Sequence, residues 1–339
     1  MTKKISISDI AEALQMSKNT VSKALNGQYV PEKTRLLVFN KAKELNYKSM
    51  KYISNEDNKS YHLLLLSGKP LSNINYFSPI LRTIENLCYE RKHQLFQHVA
   101  LEEEFHNKSF EYYLENIKID GIICIECFSN TVINKILDIN IPTVFIDFSI
   151  EEVKHDSYFD VIEPDNFNAL YNYLNNKIKS DNLSDISFIG DPNHCLSFKE
   201  RCLAMYAALS ENKINHDFNK DICFDDDNSL YGSPLEIKGE MIRRGLSPLY
   251  VCGNDYIALN VIKALELMHK NVPNDVQVIG FDNSLESKAS STQITTFDVK
   301  TEELARTTLF SLIHRIKFPK KHPTKILINT NVITRDSTK

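Results

Sequence analysis

The chain has 339 residues, of which 42% are apolar and 25% are charged, so it can bury a substantial core and wholesale disorder is excluded. Its length predicts two or three domains. Residues 1–54 carry ten Lys or Arg against four Asp or Glu, whereas the other 285 residues carry thirty bases against forty acids. A basic head on an acidic body predicts that the head binds a polyanion and that the body does not.

The cysteines and the apolar runs indicate the cellular compartment of the protein. The seven cysteines are an odd number and lie mostly in apolar runs, which favours buried, reduced thiols of a cytosolic protein over a disulfide framework. The start, MTKKISISDI, has no apolar region of a secretory signal. The longest strongly apolar runs, such as LLLL at 63–66, are too short to span a bilayer. We therefore expect a soluble cytoplasmic protein that does not contact membranes.

Two short helices are predicted near the start, joined by the tight turn QMS. Ser6 and Asp9 have the spacing of a capping box with Asp in place of Glu. Ser17 is a good N-cap for the second helix, which begins at Lys18. The inward stripes at helical spacing are Ile10, Ala11 and Leu14 in the first helix and Val21, Ala24 and Leu25 in the second.

A third helix is predicted from Pro31 and Glu32 through Leu45, because Pro is favoured at a first helical position. Its inward stripe is Leu37 or Val38, then Ala42 and Leu45. Three short helices with a tight first turn predict a helix-turn-helix domain at residues 1–47. The second helix of such a domain enters the DNA major groove by its N-terminal end.

The polar face of the second helix fits DNA as its partner. Lys18 can donate to guanine and Asn19 can pair with adenine in bidentate fashion. The short or basic side chains suited to phosphates are Ser17, Thr20, Ser22 and Lys23. The alternative is an ordinary solvated face. The turn spacing, the caps and the regional charge together favour DNA binding.

The segment ISDIAEALQMSKNTVSKALNGQYVPEKTRLLVFNKAKELNY resembles the DNA-binding head of the LacI/GalR family of transcription regulators. The family pattern is matched at Asp9, Ile10, Ala11, Met16, Ser17, Thr20, Val21, Ser22, Leu25 and Asn26, and again at residues 33–35 and 45–47. The resemblance implies a homodimer on a pseudo-palindromic double-stranded DNA operator. It also implies further contacts to the DNA backbone from Asn26, Tyr29, Thr34 and Tyr47.

The linker KSMKYISNEDNKS, residues 48–60, departs from this family. Its members usually carry a proline and a short apolar hinge helix whose leucine enters the minor groove. Here Ser49 stands where the proline is expected and Glu56 about where the leucine is expected. Phosphates repel a carboxylate. We therefore expect a polar tether rather than a hinge helix that kinks the operator.

The body, residues 61–339, alternates strand-like and amphipathic helical runs. The strand-like runs are YHLLLLS, QLFQHVA, DGIICIE, PTVFIDF, YFDVIEP, DISFIGD, PLYVCG, VQVIGFD and ILINTNVIT. This alternation predicts a parallel α/β architecture split in two. Ligands of such sheets bind beyond the carboxyl ends of strands, which selects Asp147, Asp191, Asn254 and Asp282.

The resemblance continues through IDGIICIE, IPTVFID, VIEPDNFNALYNYL, GNDYIALNVIKAL and VPNDVQVIGFDNS. It implies a core like that of periplasmic sugar-binding proteins: parallel sheets flanked by helices in two subdomains, about 61–161 with 298–324 and about 162–297 with 325–339, joined by three crossings. The implied effector-binding residues in the cleft are Tyr76, Phe77, Asp147, Arg201, Asn254 and Asp282. Carboxylates, an amide and a guanidinium suit a sugar or sugar derivative.

Several of these residues are also suited to purely structural roles, without any contact to a ligand. Asp165 and Asn166 favour a helix N-cap over a ligand contact. Asn254 and Asp282 are also typical caps or turn formers. For Arg201, the alternative to effector binding is an ion pair on a helix surface. Ala204 and Met205 stand where the family prefers glycine and an aromatic residue.

No catalytic constellation is found. The CxxC at 124–127 lies in a predicted buried strand without a second pair, which favours core packing over zinc or redox chemistry. We therefore predict no enzyme activity, no cofactor and no metal. The leading interpretation is a DNA-binding transcription regulator, usually a repressor, controlled by a small molecule. The alternatives are a solute-binding protein of a transporter and a sugar or nucleotide enzyme with a regulatory head.

Overall fold

The computed structural model describes residues 5–25, 30–45, 47, 59–69, 76–106, 109–148, 158–225 and 229–339. The chain divides into two compact units, residues 1–60 with 91–93 and residues 61–90 with 94–339. Most of the predicted tether, including Ser49 and Glu56, lies outside the described residues, so the absence of a hinge helix stays a prediction.

The first unit contains the three predicted helices α1 (Ile7–Ala13), α2 (Lys18–Leu25) and α3 (Glu32–Glu44). The capping box at α1 is confirmed: Ser6 Oγ accepts from Asp9 N at 3.4 Å, and Ser6 N donates to Asp9 Oδ2 at 2.7 Å. At α2, Ser17 Oγ accepts from Thr20 N at 3.0 Å, which confirms Ser17 as the cap. Both helix starts therefore follow from side chains close by in the sequence.

The three helices enclose one small apolar core. Its buried members are Ile10, Ala11, Val21, Ala24, Val30, Val38 and Ala42. Val38 is fully buried whereas Leu37 is 50% exposed, so the third helix turns Val38 inward. The inward stripes predicted from helical spacing are confirmed.

The body contains eleven strands among the described residues. They are β1 (His62–Ser67), β2 (Gln94–Val99), β3 (Gly121–Ile125), β4 (Thr143–Ile146), β5 (Phe159–Pro164), β6 (Ser187–Ile189), β7 (Leu249–Cys252), β8 (Gln277–Ile279), β9 (Thr296–Asp298), β10 (Thr324–Ile328) and β11 (Asn331–Ile333). The last predicted strand is in fact two, β10 and β11, and β9 was not predicted as a strand.

Ten described α-helices accompany these strands. They are α4 (Phe77–Glu90), α5 (Glu102–His106), α6 (Ser109–Ile117), α7 (Asn130–Asp138), α8 (Phe167–Asp181), α9 (Leu196–Glu211), α10 (Pro234–Arg244), α11 (Asp255–Glu266), α12 (Leu285–Ala289) and α13 (Thr301–Lys317). Four amphipathic runs of the sequence, SPILRTIENLCYER, NALYNYLNNKI, YIALNVIKALELM and EELARTTLFSLIHRI, correspond to α4, α8, α11 and α13.

The first lobe is built on a six-stranded sheet in the order β10-β5-β4-β3-β1-β2, with every pair parallel. The inner strands β1, β3 and β4 are buried on both faces, and successive side chains of β1 point to opposite faces. Leu63 and Leu65 pack in the core that contains residues of α4 and α13, and Leu64 and Leu66 pack with residues of α6 and α7.

The second lobe is built on the parallel sheet β6-β7-β8 and the antiparallel pair β9–β11. One core contains residues of α10 and α11, and the other contains residues of α8 and α9. The two parallel sheets with helices on both faces confirm the predicted fold class.

Three chain segments cross between the lobes: from β5 to α8, from β9 to α13, and from β10 to β11. Hydrogen-bonded pairing of β10 with β5 runs as far as Ile328 and Pro164. Residues 162–164 and 325–328 therefore belong to the first sheet, a few residues beyond the crossings predicted at 161/162 and 324/325. The subdomain bounds as a whole stay a proposal.

All seven cysteines are free thiols, and each except Cys223 is buried. Cys124 lies within β3 and Cys127 lies just after it. Among the described residues, none of the helices combines the length and the apolar character needed to cross a membrane.

Candidate DNA-binding surface and effector cleft

The first turn of α2 presents polar side chains outward from the head. Lys18 and Asn19 are exposed there, as is Lys23 one turn later, while Val21 and Ala24 of the same helix are buried. The helix thus carries its apolar stripe on one side and exposed donors on the other. A lysine and an asparagine at the N-terminal end of this helix have the chemistry to reach base edges.

The hydroxyls around the start of α2 also hold the helix itself. Ser17 Oγ lies 2.8 Å from Thr20 Oγ1, in addition to capping the helix. Thr20 and Ser22 are half-buried. Ser17 therefore has a structural role beside the predicted phosphate contact.

The remaining predicted DNA contacts are spread over the head. Thr34 is half-buried on α3, and Tyr47 packs against the apolar core of the head just after that helix. Asn26 and Tyr29 lie outside the described residues. The described contacts of Tyr47 are thus with the core, and its predicted contact with DNA stays a prediction.

In the body, Arg201 is the most connected of the predicted effector residues. It lies on α9, is 3% exposed, and donates to Gly253 O at 2.6 Å and to Asp282 Oδ1 at 3.3 Å. Its guanidinium carbon lies 3.7 Å from the centre of the Phe281 ring. Arg201 therefore joins α9 to the ends of β7 and β8 from the interior, and the alternative of a surface ion pair is wrong.

Asp147 and Asp282 follow β4 and β8 and have φ angles of 61° and 109°. Few non-glycine residues adopt such angles, and they cluster at ligand sites. Asp147 Oδ1 accepts from Phe148 N at 2.7 Å and from Ser197 N at 3.3 Å, so it links the two lobes.

Burial raises the pKa of Asp282 to about 8; the negative charges of Asp255 and Asp147 act in the same direction, and Arg201 opposes them. Burial also raises the pKa of Tyr76, again with contributions from Asp282 and Asp147. Tyr76 packs against the cores of both lobes, and Asp147 and Asp282 each accept a hydrogen bond from α9, so these residues and Arg201 share one region of the body.

Phe77 and Asn254 differ from the other predicted effector residues. Phe77 is 4% exposed and packs in the core of the first lobe, edge-to-face with Tyr76, so its assignment to the cleft is corrected. It begins α4, and an aromatic ring at that position is more stable in the core than in solvent. Asn254 caps α11, since its Oδ1 accepts from Ile257 N at 2.9 Å, as the plainer explanation predicted.

Asn166 has a role that the sequence did not reveal. It is 1% exposed; its Oδ1 accepts from Arg201 Nε at 3.0 Å and its Nδ2 donates to Ser197 Oγ at 3.0 Å. The cap of α8 is made instead by Asp165 Oδ1, which accepts from Asn168 N at 2.9 Å. A polar pair before a helix predicts a cap but does not tell which member turns inward.

A second unpredicted feature connects the lobes at the crossings. Glu163 on β5 is fully buried and pairs with Lys325 on β10, whose Nζ also lies 3.1 Å from Glu200 Oε1 on α9. Burial raises the pKa of Glu163 to about 8, although Lys325 acts in the opposite direction. The feature of the sequence that could have indicated this buried pair is an acidic residue inside an otherwise apolar strand.

A cavity of about 620 Å³ opens between the lobes at the carboxyl ends of their strands. Its walls include residues that follow β1, β2, β3 and β6, among them Lys69, Glu126, Phe128, Asp191 and His194. Asp191 was selected by the strand-end rule, whereas the others were not. Each lies in the loop that follows a strand, where parallel sheets bind ligands.

Comparisons with known proteins bear on this arrangement. The family described as periplasmic binding protein-like domain matches residues 180–338. The transcriptional repressor PurR of Aliivibrio salmonicida is 25% identical over 341 residues, covering 98% of both chains. The transcriptional regulator GalR of Streptococcus thermophilus is 25% identical over 351 residues, covering 98% of this chain and 99% of its own. The resemblance to the LacI/GalR family is confirmed, since the homologues over nearly the whole chain are PurR and GalR transcriptional regulators.

A solved structure of another regulator has the same fold. The transcriptional regulator CelR in complex with cellobiose superimposes with a TM-score of 0.71 at 19% identity, covering 98% of this chain and 99% of its own. Ala204 and Met205, which stand where the LacI/GalR family prefers glycine and an aromatic residue, are both fully buried in the second lobe. They fill core volume there and do not line the cavity.

Proposed function

We propose that this protein is a transcriptional repressor whose helix-turn-helix head binds a pseudo-palindromic operator as a homodimer, under the control of a small molecule bound between the lobes of its body. The observation that carries the proposal is the first turn of α2. Lys18 and Asn19 are exposed there, on a helix fixed by the Ser17 cap and an apolar core. The net charge of +6 over residues 1–54 supports the same partner.

The effector is proposed to be a sugar or sugar derivative. The interlobe cavity has carboxylates and an aromatic ring on its walls, a combination that suits hydroxyl groups and the C–H face of a sugar. Tyr76, Asp147, Arg201 and Asp282 are proposed as effector contacts or as the side chains that hold them. By linkage, operator and effector must alter each other's affinity equally, typically by about 1–3 kcal/mol.

The proposed assembly and location follow from the same role. A homodimer is supported by the relatives, because LacI-family repressors act as dimers. We place the protein in the cytoplasm, on the nucleoid, and assign it no catalytic activity.

The test is selection of bound genomic fragments with the full chain, followed by fluorescence anisotropy on the selected duplex. Asn19→Ala and Lys18→Ala should each weaken binding by about 1–3 kcal/mol and relax base preference at one position. Lys23→Ala should weaken binding evenly across sequences and lower the salt slope by about one.

The matched control is Lys179→Ala, which removes one exposed lysine from α8 of the body and should leave binding unchanged. Absence of salt-sensitive binding to any genomic duplex would refute the proposed function. Unchanged base preference in both the Lys18 and the Asn19 variants would refute only the assignment of these two residues.

A further inference from the structure

We propose that Cys124 and Cys127 are a redox-sensitive pair: hydrogen peroxide that enters the interlobe cavity oxidises Cys127, and Cys124 then closes a reversible disulfide with it. This modification does not depend on the proposed binding of DNA or of an effector, so it can be tested without either ligand. Three features carry the proposal, namely the turn after β3, the contacts of the two sulfur atoms and the access from the cavity.

The turn after β3 brings the two cysteines to one face of the first sheet. In a continuous strand, residues three apart point to opposite faces and their Cα atoms lie about 10 Å apart, whereas a disulfide needs Cα atoms within about 7 Å of each other. Here β3 ends at Ile125, and Glu126 has a φ angle of 53°, in the left-handed region. Cys124 and Cys127 consequently pack in the same core, with residues of α6 and α7.

The two sulfur atoms lie within hydrogen-bonding distance of each other. Leu66 is the partner of Cys124 in the parallel pairing of β1 with β3. The Cys127 thiol donates to Leu66 O at 3.7 Å and to Ile125 O at 3.5 Å. Burial raises the pKa of Cys124, and a hydrogen bond between its thiol and that of Cys127 raises the pKa further. A thiol that stays protonated reacts slowly with an oxidant, so Cys124 is assigned to the second step.

The cavity gives an oxidant access to Cys127. This residue is 4% exposed and is one of the residues that line the interlobe cavity of about 620 Å³, next to Glu126 and Phe128. Cys124 is 1% exposed and is not among the described lining residues. Hydrogen peroxide is uncharged and little larger than water, so a cavity of this size admits it. Cys127 is therefore the first of the two sulfur atoms that the oxidant meets.

The oxidation takes place in two steps. The Cys127 sulfur attacks one oxygen of hydrogen peroxide, the O–O bond breaks, and the other oxygen leaves as water with the thiol proton, which leaves a sulfenic acid. The Cys124 sulfur then attacks the Cys127 sulfur, the S–O bond breaks, and the hydroxide leaves as water with the proton of Cys124. Two thiols are oxidised to one disulfide while the peroxide is reduced to two waters. A dithiol reverses the reaction by exchange.

A second pair of thiols competes for the same role in the second lobe. Cys223 is half-buried and packs against the core that contains Cys202. Judged by exposure alone, Cys223 is the cysteine that an oxidant reaches most easily. However, burial raises the pKa of both thiols, and the Cys202 thiol hydrogen-bonds with Tyr206. Mapping of the oxidised cysteines therefore distinguishes mutual contact of two thiols from exposure as the deciding factor.

The test is peptide mapping of the full chain after treatment with hydrogen peroxide, alkylation of the remaining thiols under denaturing conditions, and digestion with trypsin. The tryptic peptide 119–135 contains Cys124 and Cys127 and no other cysteine. Its disulfide form lacks both alkyl groups and is lighter than the dithiol form by two hydrogen atoms. We expect this form to appear first as the peroxide dose rises, with the other cysteines still alkylated, and dithiothreitol to remove it.

Two results of this mapping overturn the inference. One is a peptide 119–135 that remains fully alkylated at every peroxide dose. The other is earlier oxidation of Cys223, alone or linked to Cys202. Neither result bears on the proposed binding of an operator, which is measured separately.

Two variants test the order of the steps. In Cys124→Ala the second thiol is missing, so the sulfenic acid on Cys127 should persist and be captured by dimedone. In Cys127→Ala, Cys124 should remain fully alkylated. Cys252→Ala removes another buried thiol, in β7, and is the matched control that should keep the 119–135 disulfide. Capture of dimedone by Cys124 in the Cys127→Ala protein overturns the assigned order, and the mapping of the wild-type chain stands without either variant.

Discussion

The guanidinium of Arg201 lies 3.7 Å from the centre of the Phe281 ring, and its Nη1 donates to the carbonyl of Gly253 at 2.6 Å. Phe281 follows β8 and Gly253 follows β7, so one side chain on α9 joins the ends of two neighbouring strands. Stacking on an aromatic face and a planar fork of donors are both properties of arginine that lysine lacks.

Replacement of Arg201 should therefore destabilise the second lobe. Arg201→Ala removes the donor to Asn166, Gly253 and Asp282 inside the lobe, and we expect a loss of about 3–5 kcal/mol in the free energy of unfolding. Arg201→Lys keeps the charge but cannot reach all three acceptors, and should cost about 1–3 kcal/mol. Urea unfolding followed by far-UV circular dichroism measures both. Wild-type stability in the Arg201→Lys protein would contradict the stacked, three-acceptor geometry.

The stability of the body should depend on pH through Glu163. Burial raises the pKa of Glu163 from its usual 4.5 to about 8. The folded chain then holds a proton that the unfolded chain has lost, so the free energy of unfolding falls as pH rises from about 4.5 to about 8 and levels off above. One such group contributes a slope of up to about 1.4 kcal/mol per pH unit. Asp282, raised from 3.8 to about 8, acts in the same direction.

The variant Glu163→Gln, whose amide cannot titrate, separates the contribution of Glu163 to this pH dependence from the contribution of Asp282. Urea unfolding of this variant between pH 5 and pH 8 should give a shallower decline than the wild-type protein. Glu115→Gln, at an exposed position on α6, should keep the wild-type profile. Identical slopes for wild type and Glu163→Gln would show that Glu163 is ionised throughout this range.

The capping box of α1 should govern the local stability of the head. Ser6→Ala removes the acceptor for Asp9 N and should cost about 1 kcal/mol. Hydrogen exchange of the amides of residues 7–13, read by mass spectrometry, should become about fivefold faster. Ser6→Thr retains a capping hydroxyl and serves as the control. Equal exchange in Ser6→Ala and wild type would mean that tertiary packing alone holds α1.

Two glycines should respond in opposite ways to alanine. A Cβ at Gly68 would lie 1.9 Å from Glu126 O, a backbone atom, so Gly68→Ala forces the ends of β1 and β3 apart and should cost about 1–3 kcal/mol. Gly239, inside α10, has no atom within 4 Å of the added Cβ. Gly239→Ala should raise stability by about 0.5–1 kcal/mol. Urea unfolding of the two variants side by side measures the contrast, and a stable Gly68→Ala protein would contradict the close approach.

Features set by neighbours in the chain were predictable from the sequence. The capping box at Ser6, the N-cap at Ser17 and the inward stripes of the three head helices depend on spacings of three or four residues. Alternation of strand and helix likewise predicted two parallel sheets. Helical spacing allowed either Leu37 or Val38 to face the core of the head, and packing places Val38 there.

Features that depend on distant contacts were decided only by the tertiary structure. Glu163 pairs with Lys325, 162 residues further along the chain, because β5 and β10 are adjacent strands. Asn166 turns inward because Arg201 supplies a donor there, and Phe77 turns into the core because α4 lies against the first sheet. The residue types at the ends of the strands were present in the sequence. Which of them face one cavity, with which net charge, follows from the order of strands in each sheet, and local spacing carries no information about that order.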